Sequence, residues 1–313
     1  MANNTSNQRA CNLKTLRPRK HEIDFFIADE VELSSFRDEM ASMEHPFFAL
    51  KGGDTKVREY RNGNVTVIVK PTADGLATIF DKDVWIYVIS KLQEAINNHQ
   101  EISRTIFFTP YDFFVTTNRE KGGRAYNDFK KSLARLSGTR VETNIFHSGV
   151  KQESIGFGLI DSWRVIDEKK GNLDIGMIEV TLPDWLYQAL HKKKMLKISP
   201  DYFRIRKAID RRLYEIARKH CGNQGEFTIS LEKLHLKTGS TALLKMFRHN
   251  IKQLAKANDL PDYSIRYDAK ADMVIFNNRN LTPEQEEKEQ QREKGKREIY
   301  KLKNSLASKR GEK

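Results

Sequence analysis

Cysteine is scarce in this chain. Cys11 and Cys221 are the two it has in 313 residues. Neither belongs to a C-x-x-C pair, so no zinc framework can be read, and the count suits a reducing compartment. The eight histidines include no H-x-x-x-H pair that could hold a metal on one helix face. A G-x-x-x-x-G-K-[ST] phosphate loop is also missing, which excludes a P-loop ATPase. No apolar run approaches the roughly 18 residues of a membrane span. The N-terminus, MANNTSNQRACNLKTLRPRK, is polar and basic and lacks the apolar centre of a secretory signal. These absences lead to the expectation of a cytoplasmic protein with no catalytic residue, no metal and no cofactor, acting away from membranes.

Positive charge is what the chain has in excess. Fifty-five Lys and Arg stand against 42 Asp and Glu, a net charge of +13. A soluble protein of this balance suits a polyanionic partner, although charge alone is also compatible with a merely solubilised surface. The length fits about two ordinary domains.

The pattern along the chain divides it into four parts: a flexible basic arm at 1–22, a first domain at 23–190, a second at 191–280, and a charged tail at 281–313. In the first domain, Phe47–Leu50 and Val65–Lys70 read as strands. A helix capped by Asp81 or Asp83 runs to about Asn97 on Trp85, Ile89, Leu92 and Ile96. A strand at Arg104–Phe108 follows. Thr109-Pro110-Tyr111-Asp112 is a capping start for a short second helix, with Asp112 closing the box. Gly122-Gly123 then opens a third helix, whose apolar stripe is Tyr126, Phe129, Leu133 and Leu136. Thr139–Phe146 and Ile155–Val165 alternate and read as a hairpin.

The second domain repeats this order. Ser199-Pro200 starts a helix on Tyr202, Ile205, Ile209, Leu213 and Ile216, stopped by Gly222. Ser230 caps a short helix to Leu236, and Lys237-Thr238-Gly239-Ser240 is a turn. A third helix spans Thr241–Ala257, and two strands, Tyr263–Tyr267 and Met273–Phe276, follow. The first-to-third-helix spacing is about 40 residues in both halves. Helix, short helix, turn, helix, hairpin is the order of a winged helix-turn-helix. The expected fold is therefore α+β, with two tandem winged helix-turn-helix domains. The tail repeats a capping start at Thr282-Pro283-Glu284-Gln285 but has no apolar stripe, which predicts a solvent-exposed helix or a disordered segment.

Both third helices pair an apolar stripe with a basic one. In a helix-turn-helix this element enters the DNA major groove. Arg124, Asn127, Ser240 and Thr241, near the N-terminal ends, are candidates for base edges. Lys131, Arg135, Lys245, His249, Lys252 and Lys256 are candidates for the cationic face, mainly toward phosphates. Asp128 interrupts the first stripe. The hairpins add Lys151, Arg266 and Lys270. Lys192-Lys193-Lys194 precedes the second domain, and Arg204, Arg206, Lys207, Arg211 and Arg212 crowd its first helix. Some of these are expected on the DNA backbone and others only in solvent.

Four segments carry a resemblance: 43–60 (MEHPFFALKGGDTKVREY), 75–92 (GLATIFDKDVWIYVISKL), 104–145 and 198–222 (ISPDYFRIRKAIDRRLYEIARKHCG). They resemble the replication initiator protein A family of bacterial plasmids, related in architecture to the iteron-binding initiators. The resemblance implies tandem winged-helix domains on double-stranded DNA repeats at a plasmid origin. It also implies assistance in melting the origin, recruitment of a host replication initiator and helicase, and a monomer–dimer equilibrium. A winged-helix transcriptional regulator acting as an autorepressor stays open as the alternative. A nicking enzyme and an RNA-binding protein are more distant readings.

Overall fold

The computed structural model describes residues 33–145, 154–170, 173–222 and 224–288, with scattered positions from 290 to 298. The expected arm at 1–22, the end of the tail and Lys151 lie outside the described residues.

Strand β1 (Phe36–Glu39) runs directly into helix α1 (Met40–Glu44). Glu39 caps that helix, its carboxylate accepting from the amides of Ala41 and Ser42 at 2.7 Å each, which satisfies donors that the first turn cannot pair itself. Next come β2 (Arg58–Asn62) and β3 (Val65–Lys70), paired antiparallel. β3 is the VTVIVK segment, and it buries Val67 and Val69 with the period of two that one-sided burial requires.

A first helical unit follows: α2 (Asp83–Asn97), β4 (Thr105–Phe108), α3 (Pro110–Thr116) and α4 (Gly123–Gly138). α2 is buried on every side from Asp83 to Leu92, so its apolar residues exceed a single stripe. Thr109 caps α3 by accepting from the Asp112 amide, and Pro110 takes the first helical position. The Asp112 carboxylate does not close a capping box. It is buried instead, accepting from the Tyr87 hydroxyl and pairing with Lys91 at 3.0 Å. α4 buries Phe129, Leu133 and Leu136, with the Phe129 ring stacked on Phe113 at 4.7 Å between centroids. Gly122, at φ +128°, supplies the backbone bend before α4 that a side chain would resist.

The hairpin expected next is corrected by the structure. β5 (Arg140–Thr143) and β6 (Ile155–Gly158) do pair with each other, but β5 also pairs with β3 in a four-stranded sheet ordered β2-β3-β5-β6. The hairpin that returns to the three helices is β7 (Ser162–Lys170) with β8 (Leu173–Thr181), in a sheet ordered β4-β8-β7. The run Ile155–Val165 splits because Leu159 and Ile160 are both fully buried, which breaks the alternation. Their amides bond to the Leu136 carbonyl at 3.2 and 3.4 Å, and the Leu159 carbonyl accepts from the Trp85 indole at 2.6 Å.

Helix α5 (Asp184–His191) leads to β9 (Met195–Ile198), which pairs antiparallel with β1. A 3-10 turn at Pro200–Arg204, capped by Ser199, precedes α6 (Ala208–His220). The single helix expected from Ser199 is thus two. Ile205 and Lys207 take extended backbone at the break, and Arg211 bonds to the carbonyls of Ile205 and Phe203 there at 3.1 and 3.3 Å.

The second unit continues with β10 (Glu226–Ser230), α7 (Leu231–Thr238), α8 (Leu244–Ala257), β11 (Tyr263–Asp268) and β12 (Met273–Asn278). Its sheet order, β10-β12-β11, matches β4-β8-β7 strand for strand. Ser230 caps α7 as expected. α8 begins at Leu244 and not at Thr241, since Ser240 folds into the turn and accepts from the Ala242 amide at 3.3 Å. The tail's capping start is formed: Thr282 and Gln285 exchange side-chain-to-amide bonds at 3.0 and 3.3 Å.

Two apolar cores result, one around α2, α3, α4 and the sheets, the other around α6, α7, α8 and the β11–β12 hairpin. Met43 of α1 and Ile86 of α2 belong to the second core. The opening segment and α2 therefore tie the halves together.

Candidate nucleic-acid interface

On α4, Arg124, Asn127 and Lys131 are exposed. The Arg124 side chain is 97% exposed, with only a 4.0 Å approach to Asp128. Arg135 is a correction. Its guanidinium grips Asp81 through two bonds of 2.9 and 2.7 Å and is largely covered. Ser132 donates to the same carboxylate at 2.6 Å. Arg135 therefore fastens α4 to the loop before α2, and the exposed basic stripe of α4 ends at Lys131. Asp81, foreseen as a helix cap, serves this anchor instead.

On α8, Lys245, His249, Lys252 and Lys256 are all exposed, and the helix contains no carboxylate. The Lys252 ammonium lies 5.5 Å from the centre of the Tyr267 ring. Arg248 pairs with Asp272 at 3.0 Å, and the Tyr267 hydroxyl donates to Asp272 at 2.5 Å. These contacts fix α8 against the β11–β12 hairpin. Arg266 is exposed on β11, and Lys270 is exposed in the hairpin turn, where its amide bonds to Asp268 at 2.9 Å. Thr241 is exposed and Ser240 half-buried, both in the turn before α8 and not on it.

The hairpin in the position assigned to Lys151 is β7–β8, whose tip register pairs Lys170 with Leu173. Lys169 and Lys170 thus sit where sequence reasoning placed Lys151. Their signal was present in the alternation of SWRVIDEKK, hidden by running the strand through Leu159 and Ile160.

Arg211 and Arg212 are the second correction. Both are 2% exposed, so neither meets DNA or solvent. Arg211 pairs with Asp83 at 2.5 Å and lies between the rings of Phe80 and Tyr202, 4.6 and 4.9 Å from their centres. Arg212 collects the carbonyls ending α1, at Ser42, Met43 and Glu44, and that of Lys237 in α7, all within 2.8–3.1 Å. It also pairs with Glu215 at 2.9 Å. Beside it the Lys82 ammonium, fully buried, stands 2.7 Å from Asp38 and 3.0 Å from Glu215. Burial pushes the Asp38 carboxyl up to about 7, with Lys82 opposing that shift. Nearer the surface, Glu44 receives Lys237 at 3.0 Å and Lys219 at 3.6 Å; against the cost of its burial these cations hold it down to about 2.

This ionic seam joins the units. β1, α1 and the start of α2 with its cap residue Lys82 supply one side and α6 and α7 the other. Gly239, at φ +68°, lets the α7–α8 turn pass so close that an added Cβ would lie 2.6 Å from Pro46. Lys121, Arg124 and Arg206 line an open groove of about 980 Å³ between the start of α4 and the second unit.

Known proteins resemble the chain in sequence and in fold. Residues 37–265 match the family described as Replication initiator protein A. A Wigglesworthia glossinidia brevipalpis protein described as "Putative replication protein" is 62% identical over 265 residues, which is 84% of this chain and 96% of that protein. The chain belongs to the replication initiator protein A family. Among solved structures, the crystal structure of domains 2 and 3 of RctB aligns with a TM-score of 0.55 at 10% identity, over 75% of this chain and 95% of that one. Another structure of RctB domains 2-3 aligns with a TM-score of 0.51 at 11% identity, over 75% and 94%. At such identities these two speak for the mixed helix-and-sheet fold. Among the described residues no helix is long and apolar enough to cross a membrane.

Proposed function

We propose that this replication initiator binds double-stranded DNA repeats at a plasmid origin through two winged-helix units, with α4 and α8 as the recognition helices. The observation that carries the reading is the paired topology. Helix, strand, helix, helix, hairpin occurs twice with one strand order, interrupted in the first unit by β5 and β6, which join another sheet, and both third helices turn exposed cations outward. Third helices of this kind enter the major groove, and hairpins beside them reach the backbone. Arg124 and Asn127 take base edges under α4, while Lys131, Lys245, His249, Lys252 and Lys256 neutralise phosphates. Arg266 and Lys270 of one hairpin, with the β7–β8 tip of the other, extend the backbone contact. Arg135 is left out of this set because Asp81 holds it.

On this reading the initiator marks and helps to melt the origin, and a host replication initiator and helicase do the unwinding. Its own exchange between monomer and dimer sets how much of it binds. Hydroxyl-radical and methylation footprinting on repeats flanking the gene tests the DNA reading. Two protected major-groove patches per repeat, on one face and about one turn apart, are expected. A single short patch, or none, overturns it. Replication of an origin fragment only when this gene is supplied distinguishes the initiator from an autorepressor built on the same fold.

A further inference from the structure

The two candidate recognition helices open on different chemistry. α4 begins with Arg124 and Asn127, both polar and exposed. α8 begins with apolar surface: Leu243, just before its first turn, is 78% exposed, and Met246, three residues on, is 53% exposed. Leu236 at the end of α7 is 49% exposed, and His235 beside it reaches the Ala242 carbonyl at 2.8 Å, bringing that helix end next to Leu243. The buried stripe of α8 is Phe247, Ile251 and Leu254, so Leu243 and Met246 contribute nothing to the core.

The setting of this patch says what would cover it. From Lys233 to Asn258 the chain has no carboxylate, and Lys245 and His249 are exposed on α8 to one side of the two apolar residues. Such a rim repels a cationic surface and attracts a polyanion. The major groove of a duplex offers one apolar group among its charges and hydrogen-bonding edges, the C5 methyl of thymine. We infer that Leu243 and Met246 are specificity residues that read thymine methyls in the major groove, so the half-site under α8 is thymine-rich while that under α4 is read by hydrogen bonds. The inference rests on α8 entering the groove, as proposed above.

Duplexes selected by the full-length chain from a random pool, resynthesised with deoxyuridine in place of thymine one position at a time, provide the test. This exchange removes only the methyl. At one or two positions wild-type affinity is expected to fall about fourfold, the value of one buried methyl. Leu243→Ala or Met246→Ala should weaken the thymine duplex by a similar factor and then be indifferent to deoxyuridine at its own position. Thermal melting coincident with wild type shows that the variants are folded. Wild-type indifference to deoxyuridine at every position overturns the inference while leaving DNA recognition standing. So does a variant that keeps full affinity, or one that loses the same factor as wild type on the deoxyuridine duplex. Failure to select any duplex removes the DNA reading itself, and the inference with it.

Discussion

Lys82 has no exposed surface and holds two carboxylates at hydrogen-bond distance, Asp38 from β1 and Glu215 from α6. Glu215 has buried Arg212 as a second cation, whereas Asp38 has Lys82 as its close ion-pair partner. Lys82→Met keeps most of the aliphatic stem and removes the ammonium, leaving Asp38 in a buried site whose desolvation is no longer offset. The substitution should cost about 3–5 kcal/mol, the range for breaking a buried ion pair from one side, read as a lower denaturant midpoint. A loss below about 1 kcal/mol would show that the seam is not what holds the units. Arg212 illustrates the same principle differently. Its guanidinium bonds to carbonyls at the end of α1 and to one in α7, so a single side chain satisfies acceptors that neither helix can satisfy alone.

At the level of the element, the proposed DNA contact divides the work of recognition along α4 and α8. Arg124 stands near the N-terminal end of α4, nearest the bases in a groove-bound helix, whereas Lys252 lies in the body of α8 near the hairpin. Arg124→Ala should cost about 1–3 kcal/mol on the selected duplex and relax preference at one position. Lys252→Ala should weaken all duplexes alike and lower the slope of log affinity against log salt by about one. Titrations of both variants on selected and scrambled duplexes measure this, and equal losses on both duplexes for both variants would refute the division. These two helices were legible because their apolar periodicity is local, and the side-chain caps of α3, α7 and the tail were legible for the same reason. Thr109, Ser230 and Thr282 act within three residues of themselves. What escaped the sequence was settled by distant partners. Arg135 reads as one more exposed cation until Asp81, 54 residues away, is brought to it, and Arg211 meets Asp83 across 128 residues. The first hairpin was misplaced because two buried residues in succession, Leu159 and Ile160, look in the sequence like the continuation of a strand.

For the whole molecule, the consequence is geometric. β1 pairs with β9, Met43 and Ile86 sit in the second core, and Lys82, Arg211 and Arg212 close the space between α2 and α6. Gly239 allows the α7–α8 turn to rest against Pro46. A joint of this kind resists bending in a way that a linker of the same length would not. α4 and α8 are therefore held at one fixed separation and angle, and under the proposed DNA contact recognition would depend on helical phase as well as on base sequence. The most direct measurement is affinity for a selected duplex with five base pairs inserted between its two halves. That insertion turns one half-site to the opposite face of the helix. Affinity should fall to that of a duplex carrying one half alone and stay there with longer odd half-turns. Unchanged affinity on the inserted duplex would contradict a rigid pair of recognition helices.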